Sequence, residues 1–444
     1  MWAKIKVVYC DQKIVYLPST LALQCGSTTI IIFGGKSTET NIQGQDDLKP
    51  AIENSFENPC EIKLSDKLRD ELNIPETQVY KVNVTDSQIT FGPVIGLLLG
   101  NATHRYNPIH MMKYSDRFGI YHKVGGLIYA FSPKFINWKE QTAYGLYYNN
   151  DTAVWEYGCF PLPDVIYRRD FHSDPDLIKR LVKYTGGRLF NSYRFNKYEL
   201  YEFIRLNDEL KKHLPPTEYS LEFDQIKEFI NCHNKVILKP IHLSRGRGIC
   251  VIEKIDSKYK VIDFRPKRPT VYELYNDRLL ENFFDVYQDL FEEYLVQKHI
   301  PLSKIGNSPF DVRVVMQKGP DRDWGCTGIE CRVSNNGYLT NISKGGYALP
   351  LGDALQRAFV GDKELLSRQI VELSQKICLY LENSGEHFAE FGLDIGIDTD
   401  RKLWLIEVNV FPSFKGFKKM DLDNYLSIRY TPMLYAASLT HFGE

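Results

Sequence analysis

The stretch Phe388–Phe417, FAEFGLDIGIDTDRKLWLIEVNVFPSFKGF, reads as two strands, FGLDIGID and LWLIEVNV, joined by the polar residues Thr399, Asp400, Arg401 and Lys402. Side chains alternate across a strand, so Leu393, Ile395 and Ile397 share one face. Asp394 falls on the other, between Gly392 and Gly396, which leave room beside it. The same alternation assigns Trp404, Ile406, Val408 and Val410 to one face of the second strand, and Glu407 and Asn409 to the other. Two acids and an amide therefore project from strands otherwise rich in apolar residues. A carboxylate in such surroundings is costly unless neutralised, and a hard divalent cation that takes oxygen ligands is its natural partner. A plain two-faced hairpin with its polar face in water gives the same pattern.

The whole chain sets bounds on what this hairpin serves. Its 444 residues exceed one ordinary core and predict two or three domains. Hydrophobic residues make up 43% and charged residues 25%, the composition of a soluble globular protein. The formal net charge of −1 provides no global field for nucleic acid or an anionic membrane, and no segment reads as a nucleic-acid module. The start, MWAKIKVVYCDQKIVY, carries charges inside its apolar run, and no apolar segment is long enough to span a bilayer, so neither a cleavable signal nor a membrane anchor is expected. Nine scattered cysteines without a C-x-x-C pair predict reduced thiols and a cytoplasmic location.

Residues 1–90 alternate short β patterns with one brief helix at SDKLRDELNI, capped by Ser65, and predict a small β-rich, barrel-like domain. Within it FGGKST follows an apolar strand, but a phosphate loop needs glycine where Ile30 stands, so Gly34 and Gly35 are assigned to a turn. Residues 91–185 carry strands separated by helical segments, which predicts a small parallel α/β domain; Arg168, Arg169 and Asp170 at a strand end within it either face a functional site or form a solvated loop. A helix is expected between Phe195 and Pro216 with Asn196 as N-cap. Lys197 in its first turn opposes the helix dipole. The segment VILKPIHLSRGRGICVIEK is a strand bearing Lys239, a glycine turn and a return strand. Phosphate oxygens call for positive charge and close backbone N–H groups, which Lys239 and Ser244, Arg245, Gly246, Arg247 and Gly248 together supply. A plain basic hairpin turn has the same composition. Farther on, Asp311 and Arg313 share a strand face and Arg332 sits on a neighbouring strand.

Asp394 followed by Glu407-Val408-Asn409 resembles the C-terminal metal-binding signature of the ATP-grasp ligases, an Asp on one strand and Glu-x-Asn on the next. Within that superfamily the chain is most similar to the YheC/YheD group of endospore coat-associated proteins, closely from Gly186 onward and more loosely before it. The resemblance implies an α/β (α+β) ATP-grasp fold over residues 186–444. It implies Mg²⁺ on Asp394, Glu407 and Asn409, ATP phosphates on Lys197, Lys239 and the glycine loop, and adenine on a main-chain hinge at Gln297, Lys298, His299 and Ile300. An acid for the ribose, common in relatives, is missing from IPLSKIGNSP. Lys239, Arg313 and Arg332 take catalytic roles by this resemblance, while Asp311, Asn341, Gly345 and Gly346 lie toward the substrate. The implied reaction joins a small-molecule or peptide carboxylate to an amine through an acyl phosphate, in sporulation or coat formation, with spore coat proteins as partners. A coat assembly protein that keeps the fold without catalysis, or a kinase-like use of the same site, are the rival implications.

Overall fold

A computed structural model of the chain describes residues 1–46, 54–170, 173–219, 222–243, 246–266, 268–287, 293–335, 346–361 and 363–442. Four of the sequence-assigned site residues, Ser244, Arg245, Asn341 and Gly345, lie outside these.

The N-terminal part is a closed barrel of seven strands: β1 (Trp2–Val8), β2 (Ile14–Pro18), β3 (Thr28–Phe33), β4 (Lys36–Gln45), β5 (Cys60–Ser65), β6 (Val79–Val84) and β7 (Gln88–Gly92). Closure removes the free edges that short strands of this kind otherwise expose. FGGKST is the tip of the β3–β4 hairpin: Gly34 has φ +55° and Gly35 N–H donates to Leu162 O at 2.8 Å. No helix follows it, so the phosphate-loop likeness ends there. Ser65 caps the helix Asp66–Leu72, its Oγ accepting from Leu68 N at 3.4 Å and from Ile14 N at 3.2 Å. Ser65→Ala is expected to cost about 1 kcal/mol or somewhat more. The midpoint of denaturant unfolding measures it.

The second sheet has the order β11-β10-β9-β8-β12-β13, with β8 (Val94–Leu98), β9 (Leu127–Asn137), β10 (Thr142–Asn149), β11 (Val154–Pro161), β12 (Val165–Arg168) and β13 (Leu189–Phe190). Only part of it is parallel: β9, β8, β12 and β13 pair in parallel, while β10 and β11 extend it as an antiparallel hairpin. β13 carries this sheet past residue 185.

The third sheet, order β14-β19-β15-β16-β17-β18, comprises β14 (Thr217–Tyr219), β15 (Lys235–Pro240), β16 (Cys250–Ile255), β17 (Lys258–Asp263), β18 (Thr270–Leu274) and β19 (Tyr294–Lys298). Ile226 and Ile230 of the helix Phe223–His233 and Leu280, Phe283 and Phe284 of the helix Asp277–Val286 bury one face of it. The fourth sheet, order β23-β22-β21-β24-β25, contains β21 (Ser308–Lys318), with β20 (Lys304–Ile305) paired to its start, then β22 (Trp324–Val333), β23 (Tyr347–Pro350), β24 (Glu390–Ile397) and β25 (Leu403–Asn409). The long helix Lys363–Leu381 supplies Ile370, Ile377 and Leu381 to the core beneath it.

The expected helix from Phe195 to Pro216 is two pieces, Lys197–Arg205 and a 3-10 turn at Leu210–His213. Asn207 accepts from the N–H groups of Glu209 and Leu210, both at 3.0 Å, and re-starts the chain between them. The first piece has a full capping box. Asn196 Oδ1 accepts from Tyr198 N and Glu199 N, and Glu199 Oε2 accepts from Asn196 N, all at 2.9 Å.

The C-terminal helix Leu422–Ser438 packs on both the second and fourth sheets. Arg429 Nε donates to Asp116 Oδ1 at 2.8 Å. Arg169 pairs with the buried Glu390 and donates to Pro412 O at 2.6 Å. Arg168 pairs with Asp170 at 3.2 Å, both buried beside the partly buried Arg169, so this trio is packed structure and not a solvated loop.

Candidate active site

Where β24 meets β25 the alternation breaks. Asp394 stands opposite Glu407, but Ile395 stands opposite Leu405, so Ile406 is the extra residue of a β-bulge. The bulge reverses the sides. Leu403 and Leu405 join Val408 and Val410 against the core, whereas Ile406 lies over Gly396, its Cδ1 3.2 Å from where a Cβ would be. Trp404 is opposite Gly396 and donates to Asp398 Oδ2 at 2.7 Å. Trp404 and Ile406 therefore do not share a face with Val408 and Val410, because one unpaired residue shifts a period of two. Glu407 and Asn409 keep the face expected for them.

That face carries a row of charge across four strands. Glu330 on β22, Arg313 on β21, Asp394 on β24 and Glu407 on β25 are successive cross-strand partners. Arg313 grips the buried Asp394 with Nε and Nη2, the latter bond 3.0 Å long. Gly392 makes this possible, since a Cβ there would lie 3.3 Å from Arg313 Cδ and 2.6 Å from Pro412 Cβ. Arg332 binds Asp311 through Nε and Nη2 at 2.7 and 2.6 Å, and reaches Asp394 Oδ2 at 2.9 Å. Burial works against charge on Asp394, but Arg313 and Arg332 outweigh it and hold the carboxyl below the usual range. Arg313 and Arg332, given catalytic roles by the resemblance, are thus already engaged with aspartates.

Glu407 differs. It accepts no hydrogen bond and forms no ion pair among the described residues. It faces a cavity shared with Lys197, Lys239 and Gln297. Lys239 Nζ donates to Gln297 Oε1 at 2.7 Å, and Gln297 Nε2 donates to Thr217 Oγ1 at 2.7 Å. Burial lowers the Lys239 ammonium to about 8, with Glu407 acting in the opposite sense and Lys197 adding to the fall. Lys197 reaches back to Pro240 O at 3.0 Å and to Leu243 O at the mouth of the glycine loop. Those bonds explain how a lysine tolerates the first turn of a helix. In the loop, Gly246 and Gly248 have φ +65° and +75°, the left-handed region that glycine enters freely, and Arg247 between them is exposed. Gly346 directly precedes β23, the strand beyond Arg332.

The cavity's apolar wall comes from Leu200 and Ile204 of the helix, Leu295 of β19, and Leu405 and Ile406 at the bulge. The neighbouring hinge is mostly closed. Gln297 is opposite Ile237 in the ladder, Lys298 N donates to Pro216 O at 2.9 Å, and His299 N donates to Lys235 O at 3.0 Å. Lys298 C=O, His299 C=O and Ile300 N–H have no main-chain partner among the described residues. In an antiparallel pair the residue facing Lys298 returns an N–H to its carbonyl, and that residue is Pro216, which has none. The main-chain groups of Gln297 are thus taken up in the ladder, and its side chain is the part that reaches Lys239. Burial lowers His299 to about 4, which leaves its ring neutral.

Sequence reasoning missed Gln297's contact with Lys239, the cation Arg194 whose field reaches Glu407, and Glu330. The last had a visible signal, an acid two residues before Arg332 on the same strand face.

The donors present fit a divalent cation: a partnerless Glu407 carboxylate opposite Asp394, with Asn409 two residues along on the same face. The described residues contain no cluster of three His, Cys, Asp or Glu side chains suited to a metal, so the amide of Asn409 is needed to complete the set. No helix among them is long and apolar enough to cross a membrane.

The chain is 26% identical over 384 residues to the endospore coat-associated protein YheD of Bacillus subtilis (strain 168), covering 83% of each. It is 27% identical over 264 residues to the probable tubulin polyglutamylase TTLL9 of Mus musculus, 47% of this chain and 54% of that protein. Among solved structures it is similar to D-alanyl-alanine synthetase A of Vibrio cholerae, with TM-score 0.45 and 13% identity over 78% of this chain and 96% of that one. A YheC/D-like ATP-grasp family model matches residues 186–439, the span that holds both lysines, the hinge and the charged row, and the chain belongs to that family.

Proposed function

We propose that the chain is an ATP- and Mg²⁺-dependent carboxylate–amine ligase that works through an acyl phosphate in spore coat formation. The observation that carries this reading is the convergence of Lys197, Lys239 and the partnerless Glu407 on one cavity beside the Arg313–Asp394–Arg332 cluster. Lys197 and Lys239 bind the phosphates of ATP, together with the N–H groups of the glycine loop. Lys298 C=O accepts from the adenine amino group and Ile300 N–H donates to the ring, while Leu405 and Ile406 cover its face. Asp394, Glu407 and Asn409 would hold Mg²⁺, which supplies neutralisation of phosphate charge. Arg313 and Arg332 stabilise the negative charge that gathers on the acyl phosphate, and the amine then displaces phosphate. A polyglutamylase among the relatives supports an amide-forming reaction on a peptide, and the coat-associated name of YheD supports the setting.

A second reading, a coat component that keeps the fold without turnover, is favoured by one observation: the Asp394 carboxylate is already saturated by two arginines. ADP release by the purified chain with Mg-ATP, screened against amino acids, acidic peptides and diamines, separates the two. Release that requires both a carboxylate and an amine supports the ligase; nucleotide binding without release in any combination selects the coat component.

Lys239 also predicts a pH dependence. Its ammonium is charged below about 8 in the free chain, and bound phosphates would raise that value. Mg-ATP affinity should be constant below about pH 8 and fall toward tenfold per pH unit above it. Calorimetric titration between neutral and alkaline pH measures this.

A further inference from the structure

We propose that Glu330 is the acceptor-side acid of this site: its carboxylate receives the incoming amine as an ammonium ion beside Arg313 and takes its first proton. The proposal rests on the ligase reading above and names a residue that reading leaves without a role.

Position is the first argument. The charged row runs Glu407, Asp394, Arg313, Glu330 over adjacent strands. At a strand spacing of about 4.8 Å, Glu330 lies roughly 14 Å from Glu407. Nucleotide phosphates belong to the Glu407 end, where Lys197 and Lys239 converge. In the ligase reading an acyl phosphate held at the arginines lies between that nucleotide end and Glu330.

Charge is the second. The charged groups that face Glu330 are Arg313, Arg332, Asp394 and Asp311. The two arginines are matched by the two aspartates through the bonds described above. Glu330 is the surplus acid. It is 2% exposed, and among the described residues its Oε2 has no hydrogen-bond partner and it forms no ion pair. A buried carboxyl left in this condition is costly unless a cation completes it. Burial pushes Glu330 up to about 7, against the pull of Arg313 and Arg332, so it exchanges a proton near neutrality.

The chemistry balances. The ammonium R–NH₃⁺ gives one proton to the Glu330 carboxylate and becomes R–NH₂. Its nitrogen lone pair forms the C–N bond to the acyl carbon, and the C–O bond to phosphate breaks with its electrons going to phosphate. The second nitrogen proton leaves with that phosphate as HPO₄²⁻, and Glu330 returns its own proton to solvent.

The test uses the full chain labelled with ¹³C at glutamate side-chain carboxyls, with the Glu330 signal identified by its loss in Glu330→Gln, or in Glu330→Asp should the first variant not fold. Methylammonium is the probe, with tetramethylammonium, which has no N–H, as the control. Methylammonium is expected to lower the Glu330 titration midpoint by about one pH unit, and tetramethylammonium to leave it in place. No response to methylammonium, or an equal response to both cations, overturns the proposal. So does a loss of Mg-ATP affinity in Glu330→Gln, which would place the residue in the nucleotide site. Failure of the unaltered chain to bind Mg-ATP at all overturns the ligase reading itself, a distinct result.

Discussion

Lys239→Ala should weaken Mg-ATP binding by about 100-fold while the chain stays folded. Removing one partner of a buried, hydrogen-bonded charge pair costs about 2–5 kcal/mol, and every 1.4 kcal/mol is about a factor of ten. The lysine is buried at the end of β15, where the one hydrogen bond of its ammonium among the described residues is to the neutral Gln297 side chain. Charge–charge contact awaits the ligand, so the loss falls on binding and not on folding. Calorimetric titration with and without Mg²⁺, beside near-UV circular dichroism for the fold, measures both halves. An affinity within about threefold of the unaltered chain would remove Lys239 from the phosphate site and, with it, the main support for nucleotide binding.

Asp394→Ala should destabilise the chain by about 3–5 kcal/mol, the cost of stranding buried charge. Arg313 and Arg332 both lose a carboxylate partner in that variant, and only Arg332 keeps another, in Asp311. Glu407→Gln, one strand away, should change stability by no more than about 0.5 kcal/mol, because among the described residues Glu407 has no hydrogen-bond or ion-pair partner to abandon. Its effect belongs to ligand binding: the gain in ATP affinity on adding Mg²⁺ should vanish. Urea unfolding of the two variants side by side decides the matter. Equal losses would mean that the row acts as one structural network, with no residue reserved for the ligand.

The contrast between these acids shows what the sequence displays and what it conceals. The hairpin, the pairing of β15 with β16, the closed barrel and the helix caps follow from alternation, glycine turns and side-chain caps, all of which are local. The bulge at Ile406 is not local. Nothing in LWLIEVNV marks which residue goes unpaired, and that choice is made by the ladder to β24. β17 and β18 escaped notice because their charged, aromatic sequences hide the alternation, and because the β16–β17 turn uses Asp256 with φ +54° where a glycine would have announced it. The saturation of Asp394 was equally hidden. Residue types advertise metal ligands and phosphate cations, but only the register across β21, β22 and β24 reveals that two of those cations are spent on one of those ligands.

Because Pro216 brings no N–H to its place opposite Lys298, the proposed ligase reading leaves the base to be met by peptide groups that no side-chain library alters. A mutational scan would find Lys298 and Ile300 permissive as far as their side chains go. The sensitive position would appear on β14's threshold, in a residue that touches no ligand, since every replacement of the imino acid returns a hydrogen to the ladder and seals the carbonyl.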